Sequence, residues 1–345
     1  MREESNLAVV VRPGGDLRVE ELPFPQPAQD EAVVRITYAG VCGSDLHYWR
    51  HGAAGESVLR EPMVLGHEVS GTVLLPAADG SGVAAGTSVT VHPATPGHDA
   101  AVRFPADRPN LAPGSTYLGS AARLPHRDGA MARFVAIPSR MLRTLPQGVT
   151  LRQAALAEPA SVAWHAVRRA GPVIGRSALV MGAGPIGALV VASLAAGGAG
   201  EIVVCDLHEE PMRRAEELGA TRLVQAARSA ALDALQVDVA VEASGTASGL
   251  GATVRAVARG GKIVMVGLLP TGDQPVPVSL VITREIDLLG SFRFAGEIDE
   301  VLTAIASGML PVERVVTHEF AVEEALVAFE TAAEPRSSGK VLIRL

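Results

Sequence analysis

Hydrophobic and polar positions follow two different patterns along the chain. Up to about residue 150, short runs of Val, Ile and Thr are separated by Gly, Pro and Asp, a pattern that predicts β-strands joined by turns. The predicted strands cover residues 32–38, 69–75, 88–91 and 133–137. Residues 93–128 are rich in Pro, Gly, Arg and Asp and show no periodicity, so we expect one long loop there.

From residue 151 onward, predicted helices alternate with short apolar strands. The helices cover residues 151–169, 188–196 and 209–218, and the strands 178–181, 202–205, 237–242, 262–266 and 286–289. Alternation of this kind predicts a doubly wound parallel sheet. The rest of the chain is predicted to contain helices at 298–307 and 322–333 and a closing strand at 340–343.

These patterns predict an α/β protein of two domains, which suits a length of 345 residues. The β-rich domain comprises residues 1–153 and 291–345, and the second domain comprises residues 154–290. Aromatic residues make up only 3% of the chain. The cores must therefore consist of Val, Leu, Ile and Ala, as in parallel sheets covered by helices.

Charge and cysteine content exclude several classes of protein. With a formal net charge of −7, the chain lacks the excess of basic residues that is typical of a nucleic-acid-binding protein. The two cysteines, Cys42 and Cys205, imply no disulfide framework and favour a reducing compartment. Residues 1–5 are not followed by an apolar signal segment. We therefore expect a cytoplasmic protein.

One uncharged stretch, residues 177–200, is long enough to span a bilayer. It is interrupted by six glycines and Pro185, however, and is better explained as a strand, a turn and a helix. No membrane association is expected from it.

The glycines of this stretch form a recognisable motif. Residues 182–187, Gly-Ala-Gly-Pro-Ile-Gly, match G-x-G-x-x-G between a predicted strand and a predicted helix. This context predicts a dinucleotide-binding turn. Gly182 would allow the tight turn, Gly184 would let the backbone approach a pyrophosphate at the helix N-terminus, and Gly187 would let the helix pack on the strand.

The following strand ends in Asp206, nineteen residues after Gly187, at the expected spacing for an acidic residue that binds the cofactor ribose. Its carboxylate would accept hydrogen bonds from the ribose hydroxyls and repel a 2′-phosphate, which favours NAD over NADP. The alternative interpretation of Asp206 is the N-cap of the next helix.

Three short motifs carry residues that bind metals: Cys42 follows a strand, His67 and Glu68 follow an apolar run, and Glu158 lies at the domain junction. Taken singly, each has an ordinary structural explanation. Together, a cysteine, a histidine and a carboxylate form a catalytic zinc set with one position left for water or substrate. Zinc in such a site polarises an alcohol or carbonyl oxygen.

These motifs occur in an order that resembles the zinc-dependent medium-chain dehydrogenase/reductase family over essentially the whole chain. The resemblance implies a GroES-like β-rich catalytic domain joined to a Rossmann domain with a doubly wound parallel sheet. Stretches that resemble its polyol dehydrogenase branch, and within it the L-idonate 5-dehydrogenases, are residues 47–49, 117–123, 158–163 and 290–294.

The resemblance also implies roles at the metal. Cys42 and His67 would be ligands of a catalytic zinc, and Glu68, Glu158 or both would supply the carboxylate. Asp45 would orient the imidazole of His67.

The resemblance further implies substrate, proton-relay and cofactor contacts. Ser44 would pass the alcohol proton onward, with His47 as a later relay member. Tyr48 and Arg293 would contact the substrate. The implied cofactor contacts, besides the glycines and Asp206, are Pro185, Ile186, Gly267 and Arg293.

The chain departs from the family pattern in the lobe of residues 92–118, where many members bind a second, structural zinc through four cysteines. No cysteine occurs there. His92, His98 and Asp99 are a weak substitute, because structural zinc sites rely on thiolates. We therefore predict one catalytic zinc and no structural zinc. A homodimer or homotetramer is an expectation from the resemblance alone.

The predicted activity is reversible hydride transfer between NAD and a secondary alcohol of a sugar acid or polyol, such as L-idonate, on zinc. One alternative is a zinc-free NAD(P)H-dependent quinone or carbonyl reductase of the same fold. Another is a dinucleotide-binding protein without catalysis. The complete set of candidate ligands argues against both alternatives.

Overall fold

The structure is a computed structural model that describes residues 5–227 and 229–345. None of the helices in this part of the chain is long and apolar enough to cross a membrane. The predicted cytoplasmic location stays a prediction.

The first part of the chain is rich in β-structure, as predicted. Its strands are β1 (Asn6–Arg12), β2 (Asp16–Leu22), β3 (Glu31–Gly40), β4 (Ala53–Ala54), β5 (Ser57–Val58), β6 (Met63–Val64), β7 (Glu68–Leu75), β8 (Ser88–Val91), β9 (Ala94–Thr95), β10 (Thr116–Tyr117), β11 (Phe134–Pro138) and β12 (Leu142–Thr144), and its helix is α1 (Gly43–His51).

Strands and helices alternate in the second part. The strands are β13 (Ser177–Met181), β14 (Glu201–Asp206), β15 (Arg222–Gln225), β16 (Val237–Glu242), β17 (Val257–Met265) and β18 (Asp287–Gly290), and the helices are α2 (Leu151–Ala154), α3 (Ala157–Ala170), α4 (Pro185–Ala196), α5 (Glu209–Glu217), α6 (Ser229–Asp233), α7 (Ala247–Ala256) and α8 (Val278–Thr283).

The remaining chain returns to the first part. Its elements are α9 (Ile298–Ala306), β19 (Val316–Ala321), α10 (Ala325–Ala332) and β20 (Lys340–Arg344). In the described chain, β19 and β20 complete a seven-stranded sheet in the order β12-β8-β7-β3-β20-β19, with β11 also paired to β3. The sheet thus joins strands from both ends of the sequence.

The second part forms a six-stranded parallel sheet within the described residues, in the order β15-β14-β13-β16-β17-β18. This is the strand order of a Rossmann fold, and it puts the turn after β13 at the point where the order reverses. β13 and β14 are buried on both faces because helices cover the sheet on each side. The predicted α/β fold class is confirmed, whereas the exact domain boundaries stay a prediction.

One predicted helix is wrong in detail. The stretch 151–169 forms two helices, α2 and α3, instead of one. Pro159 has no N–H and could not donate to the carbonyl of Ala155 in a continuous helix. In the first turn of α3, that N–H would have no helical partner anyway, so the break accommodates the proline.

The predicted long loop and the predicted helix at 322–333 also differ from the structure. The loop contains β9, β10 and a 3₁₀ turn at Pro109–Leu111. The predicted helix begins as a 3₁₀ turn, Val322–Glu324, before α10.

Candidate active site

Cys42 immediately precedes α1 and has the extended backbone conformation of an N-cap residue. Its N–H donates to Asp45 Oδ2 at 2.9 Å, and the N–H of Gly66 donates to Asp45 Oδ1 at 3.4 Å. Asp45 is fully buried, and burial raises the pKa of its carboxyl group. One side chain therefore ties together the two backbone segments that carry Cys42 and His67.

Two glycines make room for the neighbouring motif. Gly66 has a φ of 94°, and a β-carbon there would lie 2.8 Å from Met131 Cβ. A β-carbon on Gly40 would collide with Glu68 Oε2. Substitution of either glycine would displace the backbone or side chains that carry the candidate ligands.

Ligand atoms of Cys42, His67 and Glu68 lie within 4.8 Å of one another. His67 is 6% exposed, and its Nδ1 is buried without a hydrogen-bond partner among the described residues. Burial opposes protonation of this imidazole, but the adjacent Cys42, Glu158 and Asp45 raise its pKa well above the usual value. A cysteine sulfur, an imidazole nitrogen and a carboxylate oxygen are ligands that zinc prefers, and one ring nitrogen here is buried without a partner. The residues present therefore fit the predicted metal.

Glu68 is held by a lysine that the sequence analysis did not single out. Lys340 Nζ, at the start of β20, lies 2.7 Å from both carboxylate oxygens of Glu68 and 3.1 Å from the carbonyl oxygen of Val41. Both charged groups are buried. Burial by itself lowers the pKa of Lys340, but Glu68 and Cys42 more than offset it, so the lysine stays charged.

Glu158 lies in the first turn of α3 and is bound by a second overlooked residue. The Tyr117 hydroxyl donates a hydrogen bond to Glu158 Oε1. Burial and the neighbouring carboxylate raise the pKa of Tyr117 well above its usual value, so it remains a donor. Burial also raises the pKa of Glu158. The ring of Tyr117 packs edge-on against that of His67, with 5.4 Å between centroids.

Arg293 stacks on the ring of Tyr117. Its guanidinium carbon lies 4.0 Å from the centre of the Tyr117 ring, within cation–π range. Arg293 is half-buried and has a φ of 52°, a conformation rare for residues other than glycine. The predicted substrate residue Tyr48 is buried, and its hydroxyl accepts a hydrogen bond from the N–H of Ala121 at 3.1 Å.

The remaining predicted residues of this region lie on or beside α1. Ser44 is half-buried and His47 is exposed. Burial and the nearby His51, with 5.6 Å between ring centroids, lower the pKa of His47. Asp45 accepts hydrogen bonds from two backbone amides, and the described chain shows none between Asp45 and the imidazole of His67, which it was predicted to orient. The predicted roles stay predictions.

The glycine turn has the geometry of a dinucleotide-binding site. Gly182 has a φ of 94°, and a β-carbon there would lie 2.7 Å from the Ser244 nitrogen. A β-carbon on Gly187 would collide with the carbonyl oxygen of Gly182. Gly184, the N-cap of α4, faces open space, because a β-carbon there would have no described atom within 4 Å beyond its chain neighbours. Pro185 and Ile186 then begin the helix.

The other predicted cofactor residues border this turn. Asp206 Oδ2 accepts from the N–H of Ala183 at 2.7 Å, and Oδ1 accepts from the N–H of His208 at 2.9 Å. The N-cap of α5 is His208, so Asp206 does not cap that helix itself. Gly267 follows β17, and a β-carbon there would collide with the Gly245 nitrogen.

Sequence reasoning missed the contributions of Tyr117 and Lys340. Tyr117 stands in a stretch that resembles the polyol dehydrogenases, and this was the available signal. Lys340 gave no signal beyond being a cation in an apolar strand.

Comparison with known proteins agrees with this geometry. Residues 28–147 match the family model of the alcohol dehydrogenase GroES-like domain, and residues 185–307 match that of the zinc-binding dehydrogenase. Sorbitol dehydrogenase of Gallus gallus is 37% identical over 335 residues, which cover 94% of this chain and 93% of that protein.

Two solved structures share the fold of this chain over nearly its full length. L-idonate 5-dehydrogenase from Escherichia coli str. K-12 substr. MG1655 has a TM-score of 0.92 and 29% identity, covering 99% of both chains. A putative zinc-binding dehydrogenase from Sinorhizobium meliloti 1021, bound to NADP, has a TM-score of 0.88 and 26% identity, covering 99% of this chain and 100% of that one.

The fold and site define an alcohol dehydrogenase that uses zinc and a nicotinamide cofactor, and the chain belongs to the zinc-dependent medium-chain dehydrogenase/reductase family. Within that family it lies in the polyol dehydrogenase branch.

Proposed function

We propose that the protein oxidises a secondary alcohol of a sugar acid or polyol, with L-idonate as the reference substrate, and transfers the hydride to NAD. The observation that carries this proposal is the stacking of Arg293 on Tyr117, 4.0 Å from the ring centre, beside the candidate ligand set. A fixed cation at this position suits a substrate with several hydroxyls or a carboxylate.

Cys42, His67 and Glu68 would hold the zinc, with Glu158 available as the exchanging carboxylate. Bound there, the metal supplies Lewis-acid polarisation of the substrate oxygen. Ser44 takes the alcohol proton and passes it toward His47, which is exposed to solvent. Tyr117 fixes Glu158 through its hydroxyl, and Lys340 fixes Glu68. Arg293 and Tyr48 orient the carbon chain of the substrate so that the carbinol hydrogen faces the nicotinamide.

A substrate panel tests this proposal. Initial rates with L-idonate, gluconates and neutral polyols should be highest for one of these compounds and should depend on zinc. In Arg293→Leu, KM for the preferred substrate should rise by roughly tenfold to a hundredfold. If no compound of the panel is oxidised and the metal-free protein reduces quinones, the result would favour the zinc-free reductase. Tight NAD binding without turnover would favour the non-catalytic alternative.

The metal assignment has its own test in the two cysteines of the chain. Purified, chelator-washed protein should contain about one zinc per chain, because Cys42 is the one of the two cysteines that lies in a candidate metal site. Cys42→Ser should lose the zinc and the activity while its circular dichroism stays native. Cys205→Ala is the matched control, because Cys205 is buried in β14 and burial raises the pKa of its thiol to about 12. Two zinc ions per wild-type chain would indicate metal binding in the 92–118 lobe.

The preference for NAD rests on Asp206. Asp206→Asn keeps a carbonyl oxygen as acceptor for the Ala183 amide but removes the negative charge. We expect kcat/KM with NADP to rise by about tenfold relative to that with NAD. An unchanged ratio would show that Asp206 does not select the cofactor, and a wild-type preference for NADP would reverse the assignment.

We also propose that the protein forms a homodimer or homotetramer in which subunits pair through β18. This strand is an edge of the parallel sheet, Leu288 on it is 37% exposed, and the nearby α8 has no buried side chain. An exposed edge with apolar side chains favours pairing with a second copy. Light scattering should give a dimer or tetramer for the wild type and a smaller species for Leu288→Lys. Leu326→Lys, at a somewhat more exposed position on α10 (47%), is the control.

A further inference from the structure

The lobe of residues 92–118 is connected to the segment that carries Arg293. Asn110 Nδ2 donates to the carbonyl oxygen of Phe292 at 2.8 Å, just before Arg293. His92 Nε2 lies 2.6 Å from the carbonyl oxygen of Ala295, just after it. A carbonyl oxygen only accepts hydrogen bonds, so Nε2 carries the proton. The two side chains thus bracket Arg293 with one hydrogen bond on each side.

The two flanking hydrogen bonds matter because the backbone conformation of Arg293 is strained. A φ of 52° costs free energy in a residue with a β-carbon, and it persists only when the surroundings enforce it. The two residues that flank Arg293 differ in burial: the ring of Phe292 is exposed and that of Phe294 is buried. The side chain of Arg293, between them, lies over the ring of Tyr117. Without its flanking hydrogen bonds, the segment is free to relax to a negative φ.

A pocket borders this segment. Its volume is about 180 Å³, and its lining includes His92, Asn110, Arg143, Phe294 and Ala295. Space of this size lets the segment retreat from the site. Asn110 is 9% exposed and His92 packs on Phe294, with 4.7 Å between ring centroids, so both anchors are themselves fixed.

We propose that Asn110 and His92 are positioning residues that set the substrate affinity of the enzyme by holding Arg293 over Tyr117. The proposal rests on the proposed contact of Arg293 with the substrate. It assigns the lobe of residues 92–118, which contains no cysteine, a role in substrate recognition through the hydrogen bonds of Asn110 and His92.

Asn110→Leu tests this assignment, because leucine has nearly the size of asparagine and lacks the donor. We expect KM for the preferred alcohol to rise by roughly tenfold or more, while KM for the dinucleotide and the zinc content stay at wild-type values. His92→Phe, which keeps a ring against Phe294 and loses the bond to Ala295, should act in the same direction. It also secures the test if Asn110→Leu does not fold.

Ser115→Ala is the matched control in the same lobe. Ser115 Oγ bonds only within the lobe, accepting from Gly97 N and donating to Ala112 O. Its loss should leave KM for the alcohol unchanged. Amide hydrogen exchange of a peptide covering residues 290–297 should accelerate in Asn110→Leu and not in Ser115→Ala.

A double-mutant cycle separates this inference from the proposed function. If Asn110 acts through Arg293, Asn110→Leu should add little to the rise in KM already caused by Arg293→Leu. Fully additive effects would overturn the positioning role, and so would a rise in KM with Arg293→Leu alone but with neither Asn110→Leu nor His92→Phe. An unchanged KM in Arg293→Leu would instead refute the substrate contact itself.

Discussion

The Tyr117 hydroxyl donates a hydrogen bond to the Glu158 carboxylate where both side chains are almost fully buried. A buried carboxylate needs such a donor, because burial without a partner penalises the charged form. Among the described residues, Oε1 of Glu158 accepts this hydrogen bond and no hydrogen bond is made by Oε2. If the proposed metal is bound by the neighbouring ligands, we expect Tyr117 to restrict how readily Glu158 turns toward it.

Removal of this hydroxyl should affect catalysis more than folding. In Tyr117→Phe the ring still packs on His67 and under Arg293, but Glu158 loses its donor. We expect zinc to be retained and kcat/KM to fall by roughly tenfold to a hundredfold. Steady-state kinetics and metal analysis measure both. Tyr38→Phe, where the ring packs against the core of the second part of the chain, is the control, and equal kinetics in the two variants would refute a role for Tyr117.

The buried Glu68–Lys340 pair predicts an asymmetric result on stability. Lys340→Met leaves an uncompensated buried carboxylate, which should lower the free energy of unfolding by about 3–5 kcal/mol. The double variant Glu68→Gln/Lys340→Met removes both charges and should recover most of that loss. Urea unfolding of metal-free protein measures it without a contribution from bound zinc. A double variant no more stable than Lys340→Met would show that charge burial is not the cause.

The glycine turn predicts that two alanine substitutions have opposite signatures. In Gly184→Ala the new methyl group faces open space, so Tm should change little while Kd for the dinucleotide rises, because the methyl group blocks the pyrophosphate. In Gly187→Ala the methyl group collides with the Gly182 carbonyl, so Tm should fall sharply. Calorimetry and cofactor titration distinguish them. Unchanged cofactor affinity in Gly184→Ala would place the pyrophosphate elsewhere.

The Glu297–His165 pair predicts an acid-dependent contribution to stability. Burial alone would raise the pKa of Glu297, but its hydrogen bonds with His165, at 2.7 Å, and with the Ala295 amide lower it below its usual value of about 4.5. Its ionised form therefore stabilises the fold above about pH 4.5, and this stabilisation is lost as the pH falls through the lowered pKa.

Glu297→Gln should accordingly be less stable than the wild type by roughly 1.5 kcal/mol at neutral pH. The difference in unfolding free energy between the two proteins should shrink as the pH is lowered from about 5 through the lowered pKa of Glu297. Chemical denaturation at several pH values measures this difference. A gap that stays constant over this range would mean that the charge of Glu297 does not contribute.

The sequence predicted those features that depend on short segments. Cys42, His67 and Glu68 were found because each stands in a short motif, and Gly182 and Asp206 were found through their spacing along the chain. Tyr117 and Lys340 were missed because their roles arise from contacts 41 and 272 residues away in sequence. Short sequence motifs carry no information about contacts between residues so far apart in sequence. The break between α2 and α3 was signalled by Pro159, but the apolar periodicity continues across it.

The strand order of the seven-stranded sheet has a consequence for how the chain folds. β3 cannot pair with β20 until some 300 residues of chain have closed into a loop, an event with a high entropic cost. The parallel sheet from β13 to β18 uses only contiguous sequence, and α3, which precedes it, contacts α9, which follows it. We therefore expect it to form early and shorten that loop, so that the candidate metal ligands acquire their final neighbours, Lys340 among them, in a late step.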